Sequence, residues 1–251
     1  MTARAIILLR HGQTDYNKDL RMQGQIDIPL NDLGREQANR AAEVLARAGV
    51  SRVVASDLSR ATETGRILAE AAGVNLEIDG RLKERGFGSW EGFTRDELEE
   101  SHPEEYEVWR GGGDPAGIGV ESRADAAQRV AEAILEVGEA AADGEVVAIA
   151  SHGAAITLGI SEVLGLGPQW FGFGGMGNCH WSVLGQNGDR EPAWRLAVHN
   201  VGVDLVPKTQ LTVFEKPGAG ASGQDQQVIG ASGRMTHSDP AGVPESWNKG
   251  T

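Results

Sequence analysis

The stretch AIILLRHGQT, residues 5–14, decides how the rest of the chain is interpreted. Its first five residues are apolar and predict a short buried β-strand. An arginine and a histidine follow this strand directly, and the glycine at position 12 allows the chain to turn. Because ligands of open α/β sheets bind beyond the carboxyl ends of the strands, Arg10 and His11 are candidate binding residues.

Strands and helices alternate after this first strand. Further strands are predicted over residues 52–55, 76–78, 145–150, 179–184 and 194–198. Helices are predicted over residues 34–48, 122–142 and 153–164. A further helix is predicted to follow Ser56 or Asp57, one of which is expected to cap it, and to end at about residue 72. This alternation predicts an α/β fold, a three-layer sandwich with a mostly parallel central sheet and helices on both faces.

The composition separates a folded body from a different C-terminal segment. Residues 1–214 carry the alternating pattern, whereas residues 215–251 are rich in Gly, Ser, Gln, Pro and Asp. Such a segment buries too little apolar surface to offset its ordering entropy. We therefore predict one folded domain over 1–214 and a disordered tail over 215–251.

The negative net charge of the chain argues against some classes of binding partner. The 251 residues carry a formal net charge of −13, which repels nucleic acid and anionic membrane surfaces. No apolar run is long enough to span a membrane, and the single cysteine, Cys179, excludes a disulfide within the chain. We expect a cytoplasmic protein that binds a small molecule, and any phosphate site must be a local positive pocket.

Two further strands are predicted to end in similar polar residues. Arg60 follows the strand at 52–55, and His152 and Gly153 follow the strand at 145–150. If the three strands are neighbours, these residues meet Arg10 and His11 in one pocket. Arginines bind phosphate bidentately and keep their charge, and the start of a helix directs free N–H groups at an anion. The sequence therefore predicts a pocket for a phosphate group.

The same pocket contains a candidate nucleophile. Two neighbouring guanidinium groups favour the neutral form of His11, which can attack phosphorus. The arginines and His152 would stabilise charge on the phosphoryl oxygens, so this scheme requires neither a metal nor an organic cofactor. The leaving oxygen still needs a proton donor. Glu84 is the first candidate, although composition alone does not select it over Glu91.

Four motifs occur in an order that is typical of a known family. They are the RHGQT stretch at 10–14 with Asn17, the SDLSRA stretch at 56–61, Leu82 with Glu84, and the SHG stretch at 151–153. In these motifs the chain resembles the histidine phosphatase superfamily, in the branch that holds cofactor-dependent phosphoglycerate mutases and related phosphatases. The resemblance implies a phosphoglycerate mutase-like fold.

The resemblance also implies roles for the matching residues. The catalytic residues would be His11 as the phosphorylated nucleophile, Glu84 as acid and base, and His152. The residues expected to bind the substrate are Arg10, Asn17, Gln23, Gly24, Arg60 and Gly153. For Gln23 and Gly24, a purely structural role in their loop is the alternative.

The sequence favours one activity within this family. The stretch FGSWEG at 87–92 resembles the phosphatase members, which hydrolyse a phosphohistidine, rather than the mutases, which transfer the group to a second substrate. A cofactor-dependent phosphoglycerate mutase, an isomerase, is the alternative enzyme. A non-catalytic module that binds phosphorylated ligands is a third hypothesis, against which the complete catalytic set argues.

A narrower resemblance concerns the substrate. The stretches at 10–17, 21–34, 174–181 and 194–200 are similar to those of the glucosyl-3-phosphoglycerate phosphatases. This resemblance implies a small phosphorylated glycerate or sugar, such as glucosyl-3-phosphoglycerate, as the substrate. It also implies a homodimer.

Overall fold

A computed structural model describes residues 2–203, so the predicted tail at 215–251 lies outside the described residues. The strands are β1 (Ala5–Arg10), β2 (Val50–Ala55), β3 (Leu76–Ile78), β4 (Val146–Ser151), β5 (Trp181–Gln186) and β6 (Trp194–Val201). The α-helices are α1 (Asp15–Lys18), α2 (Asp32–Leu45), α3 (Ser59–Ala72), α4 (Arg95–Ser101), α5 (Pro103–Arg110), α6 (Arg123–Glu139) and α7 (Gly153–Val163). Short 3₁₀ helices occupy Ala46–Ala48, Gly80–Leu82 and Gly88–Trp90.

The sheet is mostly parallel, as the sequence predicts. Its strand order is β3-β2-β4-β1-β5-β6, and the first four of these strands run parallel to one another. Strand β5 is antiparallel to both β1 and β6. In the centre, Arg10 lies opposite Ser151 and Ala55 lies opposite Ala150. The carboxyl ends of β1, β4 and β2 therefore meet at one edge of the sheet.

Side chains of β1 alternate between two hydrophobic cores. Ile7 and Leu9 pack with α2 and α3, whereas Ile6 and Leu8 pack with α6 and α7. Because successive side chains of a strand point to opposite faces, the two helix pairs cover opposite faces of the sheet. The predicted three-layer sandwich is confirmed. Within residues 2–203, no helix is both long and apolar enough to cross a membrane.

Helix α3 begins in a different way from the prediction. Its N-cap residue is Leu58, and the amide of Ser59 donates to a carboxylate oxygen of Asp27 at 2.7 Å. Oγ of Ser56 accepts from the amide of Leu58 at 3.3 Å, before the helix begins, and the N-cap residue makes no side-chain capping hydrogen bond. The prediction that one of them caps the helix is therefore wrong, because an acceptor from a distant loop takes that place.

A small separate core supports the segment between β3 and α6. Phe87, Trp90, Leu98 and Tyr106 form its buried part, and Trp109 packs against it. This core anchors α4 and α5 beside the carboxyl edge of the sheet. It places Trp109 at the side of the cleft described below.

Candidate active site

The carboxyl edge of the sheet brings two histidines and an arginine together. His11 follows β1 and donates its backbone N–H to the carbonyl of Ser151 at 2.9 Å. His152 follows β4, and the centroids of the two imidazole rings lie 5.1 Å apart. Arg60 reaches the same place from α3, with its Nε 3.2 Å from Nδ1 of His152. His11 is only 2% exposed, and Arg60 and His152 are fully buried.

The hydrogen bond of the His11 ring decides which nitrogen is free. Nδ1 lies 2.7 Å from the carbonyl oxygen of Gly12, and since a carbonyl only accepts, Nδ1 carries the hydrogen. Nε2 therefore keeps its lone pair. Position 12 requires glycine, because a Cβ there would overlap the backbone carbonyl of Gly34. The amide of Gly12 also donates to Oγ1 of Thr64 at 3.1 Å.

The surroundings keep both imidazoles neutral. Burial, followed by the positive charges of Arg10 and Arg60, holds the pKa of His11 well below its ordinary value. Burial and then Arg60 do the same to the pKa of His152. A neutral imidazole with a free Nε2 is a nucleophile at neutral pH. Burial raises the pKa of the Cys179 thiol to about 12, so this group stays protonated and does not compete.

Arg60 and His152 belong to a buried network in which every nitrogen of the guanidinium donates to a protein acceptor. The guanidinium also donates to the carbonyls of Ile26 at 2.8 Å and Gly24 at 2.7 Å. Because it donates to Nδ1 of His152, that ring carries its hydrogen on Nε2, which donates to Oγ of Ser56 at 2.9 Å. Ser56 was expected to cap a helix, and instead it fixes the tautomer of the second histidine.

A cleft of ≈ 930 Å³ opens beside this network, and four of the predicted residues line it: Arg10, Asn17, Glu84 and Gly153. Nη1 of Arg10 donates to the carbonyl of Met176, but its buried Nε has no hydrogen-bond partner among the described residues. A Cβ on Gly153 would lie 3.5 Å from that Nε, so the two residues adjoin. An unpaired buried donor is costly, and a phosphoryl oxygen would satisfy it.

The side chain of Asn17 is fixed by its neighbours. Its Oδ1 accepts from the amide of Thr14 at 3.1 Å and from Nδ2 of Asn178 at 3.0 Å. This assigns the oxygen and leaves Nδ2 to donate to a ligand. Asn178 also lies 3.2 Å from the carbonyl of His11, to which its Nδ2 donates. Sequence reasoning did not single out Asn178, because nothing near it in the chain indicates this contact.

The structure separates Glu84 from Glu91. The carboxylate of Glu84 lines the cleft and accepts from the amides of Ala154 at 3.2 Å and Ala155 at 2.9 Å, at the start of α7. Glu91 accepts instead from the amides of Gln25 at 2.9 Å and Phe87 at 3.0 Å, and it does not line the cleft. Of these two carboxylates, Glu84 is the one that lines the cleft.

Gln23 and Gly24 do not line the cleft. Oε1 of Gln23 accepts from the hydroxyl of Thr14 at 2.8 Å, and Gly24 holds Arg60 through its carbonyl. Gly24 has a φ of +50°, and a Cβ there would overlap the carboxylate of Glu91. In this structure both residues shape the loop around Arg60, and a direct contact with substrate stays a prediction.

The chain matches known proteins over most of the described range. The model of the histidine phosphatase superfamily (branch 1) matches residues 6–201. A glucosyl-3-phosphoglycerate phosphatase of Mycolicibacterium vanbaalenii is 40% identical in an alignment of 221 residues, which covers 82% of this chain and 98% of the relative. A solved structure of a mycobacterial glucosyl-3-phosphoglycerate phosphatase with VO3 is 38% identical and has a TM-score of 0.72, covering 79% of this chain and 100% of its own.

Other relatives are named as mutases rather than phosphatases. A probable phosphoglycerate mutase of Salmonella paratyphi A is 35% identical in an alignment of 170 residues, which covers 66% of this chain and 76% of the relative. The phosphatases match at higher identity and over nearly their whole length, which favours the predicted hydrolase of phosphoric monoesters over the mutase alternative. The matched range contains all four motifs, with both histidines, Arg60 and Glu84. The chain belongs to the histidine phosphatase superfamily, in its branch 1.

Proposed function

We propose that the chain hydrolyses a phosphomonoester through a phosphohistidine on His11, without a metal or an organic cofactor. One observation carries this proposal. A neutral His11, with Nδ1 bonded to Gly12 and Nε2 free, stands beside the unpartnered Nε of Arg10 and the start of α7. This arrangement joins a nucleophile to donors that suit phosphoryl oxygens.

In the first step, Nε2 of His11 attacks phosphorus, and the bond from phosphorus to the ester oxygen breaks as the N–P bond forms. Protonated Glu84 gives its proton to the departing oxygen, so the product leaves as an alcohol. Nε of Arg10, Nδ2 of Asn17 and the amide of Gly153 stabilise the negative oxygens of the transferring group.

In the second step, a water molecule attacks the phosphohistidine. The Glu84 carboxylate takes a proton from this water, the N–P bond breaks, and phosphate and neutral His11 are released. Arg60 contributes its positive charge close to His11 throughout. Arg60 donates one N–H of each Nη to the carbonyls of Ile26 and Gly24, so the second N–H of each Nη is left for a direct contact with the phosphoryl group.

We propose glucosyl-3-phosphoglycerate as the substrate. The relatives that match over nearly their whole length are named for this ester. The cleft volume of ≈ 930 Å³ lies within the range of sites for small molecules, about 300–1,000 Å³. Aromatic side chains on its sides, among them Trp109, Phe171 and Phe173, suit the faces of a sugar ring. We also propose a cytoplasmic location, which a chain with one buried cysteine supports.

The test of the substrate is release of phosphate by the full chain, in the presence of a chelator and without bisphosphoglycerate. The panel holds glucosyl-3-phosphoglycerate, 3-phosphoglycerate, a fructose bisphosphate and an aryl phosphate. We expect a marked preference for the glucosyl ester. Release that depends on added metal, or isomerisation that depends on a bisphosphorylated primer, would contradict the proposal.

The test of the intermediate is chemical trapping. With labelled substrate and rapid quenching in alkali, we expect label on the protein that is stable to alkali and lost in acid, as for a phosphoramidate. The label must be absent from His11→Ala. Within residues 2–203, no group of three or more His, Cys, Asp or Glu side chains is arranged to hold a metal ion, so activity in chelator is the matching control.

A further inference from the structure

Among the described residues, four arginines line the cleft, and Arg123 is one of the three that do not belong to the predicted catalytic set. Arg123 is the first residue of α6, and its guanidinium carbon lies 4.3 Å from the centroid of the Phe171 ring. Its Nε donates to the carbonyl of Pro168 at 2.8 Å. The stacking and this hydrogen bond hold the planar group in one orientation, which lowers the entropy lost when it binds an anion.

The charge of Arg123 has no ion-pair partner among residues 2–203. Asp114 is the acidic residue whose charge acts on it, but Oδ1 of that carboxylate accepts from Nη2 of Arg85 at 2.6 Å. Arg123 reaches Asp114 through its backbone N–H, at 3.1 Å, and not through its guanidinium. Both Nη groups therefore have no acceptor in the described part of the chain.

The other arginines of the cleft differ from Arg123. Arg10 belongs to the catalytic end, and Arg21 pairs with Glu97 at 3.0 Å. Arg95 is exposed, above the ring of Trp109 at 5.8 Å. Arg123 is half-buried, so its unpaired charge has lost part of its hydration, and an anion that replaces this hydration binds well.

The position of Arg123 is set by the packing of α6 on α7. Leu158 of α7 packs against Ala126 and Ala127 in the first turn of α6. Gly153 and Ser161 of α7 both line the cleft, and residues eight apart in a helix are separated by about 12 Å. The cleft therefore extends along α7 from Gly153, and Arg123, at the start of the neighbouring α6, lines it as well.

We propose that Arg123 binds a carboxylate of the substrate, and thereby selects phosphomonoesters that carry a carboxylate in addition to the phosphate. This inference rests on the proposed function and deepens it. A fixed guanidinium with two free Nη groups binds a carboxylate through two parallel hydrogen bonds. The catalytic end has its own donors for phosphate, so the second anion distinguishes a phosphoglycerate ester from a neutral sugar phosphate.

A matched pair of substrates tests this proposal. Glycerol 3-phosphate has a hydroxymethyl group where 3-phosphoglycerate has its carboxylate. In Arg123→Gln, we expect KM for 3-phosphoglycerate and for its glucosyl ester to rise about 10- to 100-fold, the cost of one lost charge-assisted contact. KM for glycerol 3-phosphate should stay within about twofold, kcat should change little, and Arg123→Lys should recover part of the loss.

Arg95→Gln is the matched control, because it removes the same charge from an exposed side chain of the same cleft. We expect this variant to change KM for 3-phosphoglycerate and KM for glycerol 3-phosphate alike and only slightly. Added salt should abolish the change, because it screens an exposed charge. Equal losses on both substrates in Arg123→Gln, or no loss on 3-phosphoglycerate, would overturn the proposal. Melting temperatures of both variants show whether α6 is intact.

A binding measurement separates this inference from the proposed function. Calorimetry with His11→Ala and with His11→Ala/Arg123→Gln compares the affinities for 3-phosphoglycerate and glycerol 3-phosphate without turnover. A selective loss of 3-phosphoglycerate affinity supports the carboxylate site even if the wild-type chain releases no phosphate. Unchanged affinity for 3-phosphoglycerate rejects it, whatever the wild-type chain hydrolyses.

Discussion

The buried catalytic network beside the cleft, here called the floor, and the outer wall of the cleft are built in different ways. The floor, formed by His11, Arg60 and His152, is buried, and backbone or side-chain hydrogen bonds fix each group. The wall, formed by Trp109, Arg123 and Phe171, is partly open to solvent, and Phe171 is 58% exposed. In the proposed mechanism the floor performs the reaction and the wall binds the rest of the substrate, so changes to the two regions should have separable effects.

The largest expected effect comes from removing the nucleophile in the floor. His11→Ala should lower kcat by about 10⁴-fold or more, because the remaining donors cannot replace the covalent step. Binding of inorganic phosphate should change only a few-fold, since Arg10 and Gly153 remain. Steady-state rates and calorimetry measure the two quantities. His102→Ala, outside the cleft, is the control, and a near-normal rate in His11→Ala would reject the floor as the reaction centre.

The next effect concerns proton transfer to the leaving oxygen. Glu84→Gln should slow hydrolysis of alkyl esters by about 10²- to 10⁴-fold but affect an activated aryl phosphate much less. A good leaving group needs little protonation, so a plot of rate against leaving-group pKa should steepen. Glu91→Gln, on the same loop, should lower the melting temperature and leave this slope unchanged. Equal losses on both ester types in Glu84→Gln would argue against its role as an acid.

A third change breaks the buried network of the floor. Arg60→Met leaves the carbonyls of Gly24 and Ile26 without their donor, which should cost about 3 kcal/mol of the free energy of unfolding. The melting temperature should fall by about 6–12 °C. Arg66→Met, an exposed position on the same helix, should change stability by less than about 0.5 kcal/mol. Similar losses in the two variants would show that the network does not stabilise the fold.

The smallest effect is a pH dependence of stability. The folded pKa of His11 lies well below 6.5, so below about pH 6.5 the unfolded chain takes up a proton that the folded chain does not. Stability should therefore fall as the pH drops from 7 to 5.5, by about 1 kcal/mol for this histidine. Urea unfolding at pH 7 and at pH 5.5 measures this fall in the free energy of unfolding. The fall should be smaller in His11→Ala than in the wild-type chain, by the contribution of this histidine. An identical fall in both proteins would mean that His11 is protonated in the fold.

The floor was predictable because local sequence places its residues. Each histidine directly follows an apolar strand, and neighbouring parallel strands end at the same edge. The choice between Glu84 and Glu91 was not predictable from composition, since both lie on one loop, and only the family resemblance implied Glu84. It depends on contacts of Glu84 with amides 70 and 71 residues away. Ser56 was misassigned for the same reason, because its partner His152 is distant in sequence.

The wall could not be predicted from local patterns. Arg123 stands at an ordinary helix start, and only the folded chain brings it over Phe171 and next to Pro168. Aromatic residues in the sequence do not reveal whether they fill a core, as Trp90 does, or line a cleft. The homodimer and the state of the tail at 215–251 stay predictions.

The hydrogen bonds from the start of α7 to Glu84 have a consequence for engineering. The acid is held by the amides of Ala154 and Ala155, directly beside the Gly153 amide that faces the phosphate end. The acid and the phosphate-binding amide of the proposed mechanism are thus both positioned by the start of α7, and not by Trp109, Arg123 or Phe171. We therefore expect that the wall can be rebuilt for esters of other shapes without moving Glu84 relative to the start of α7.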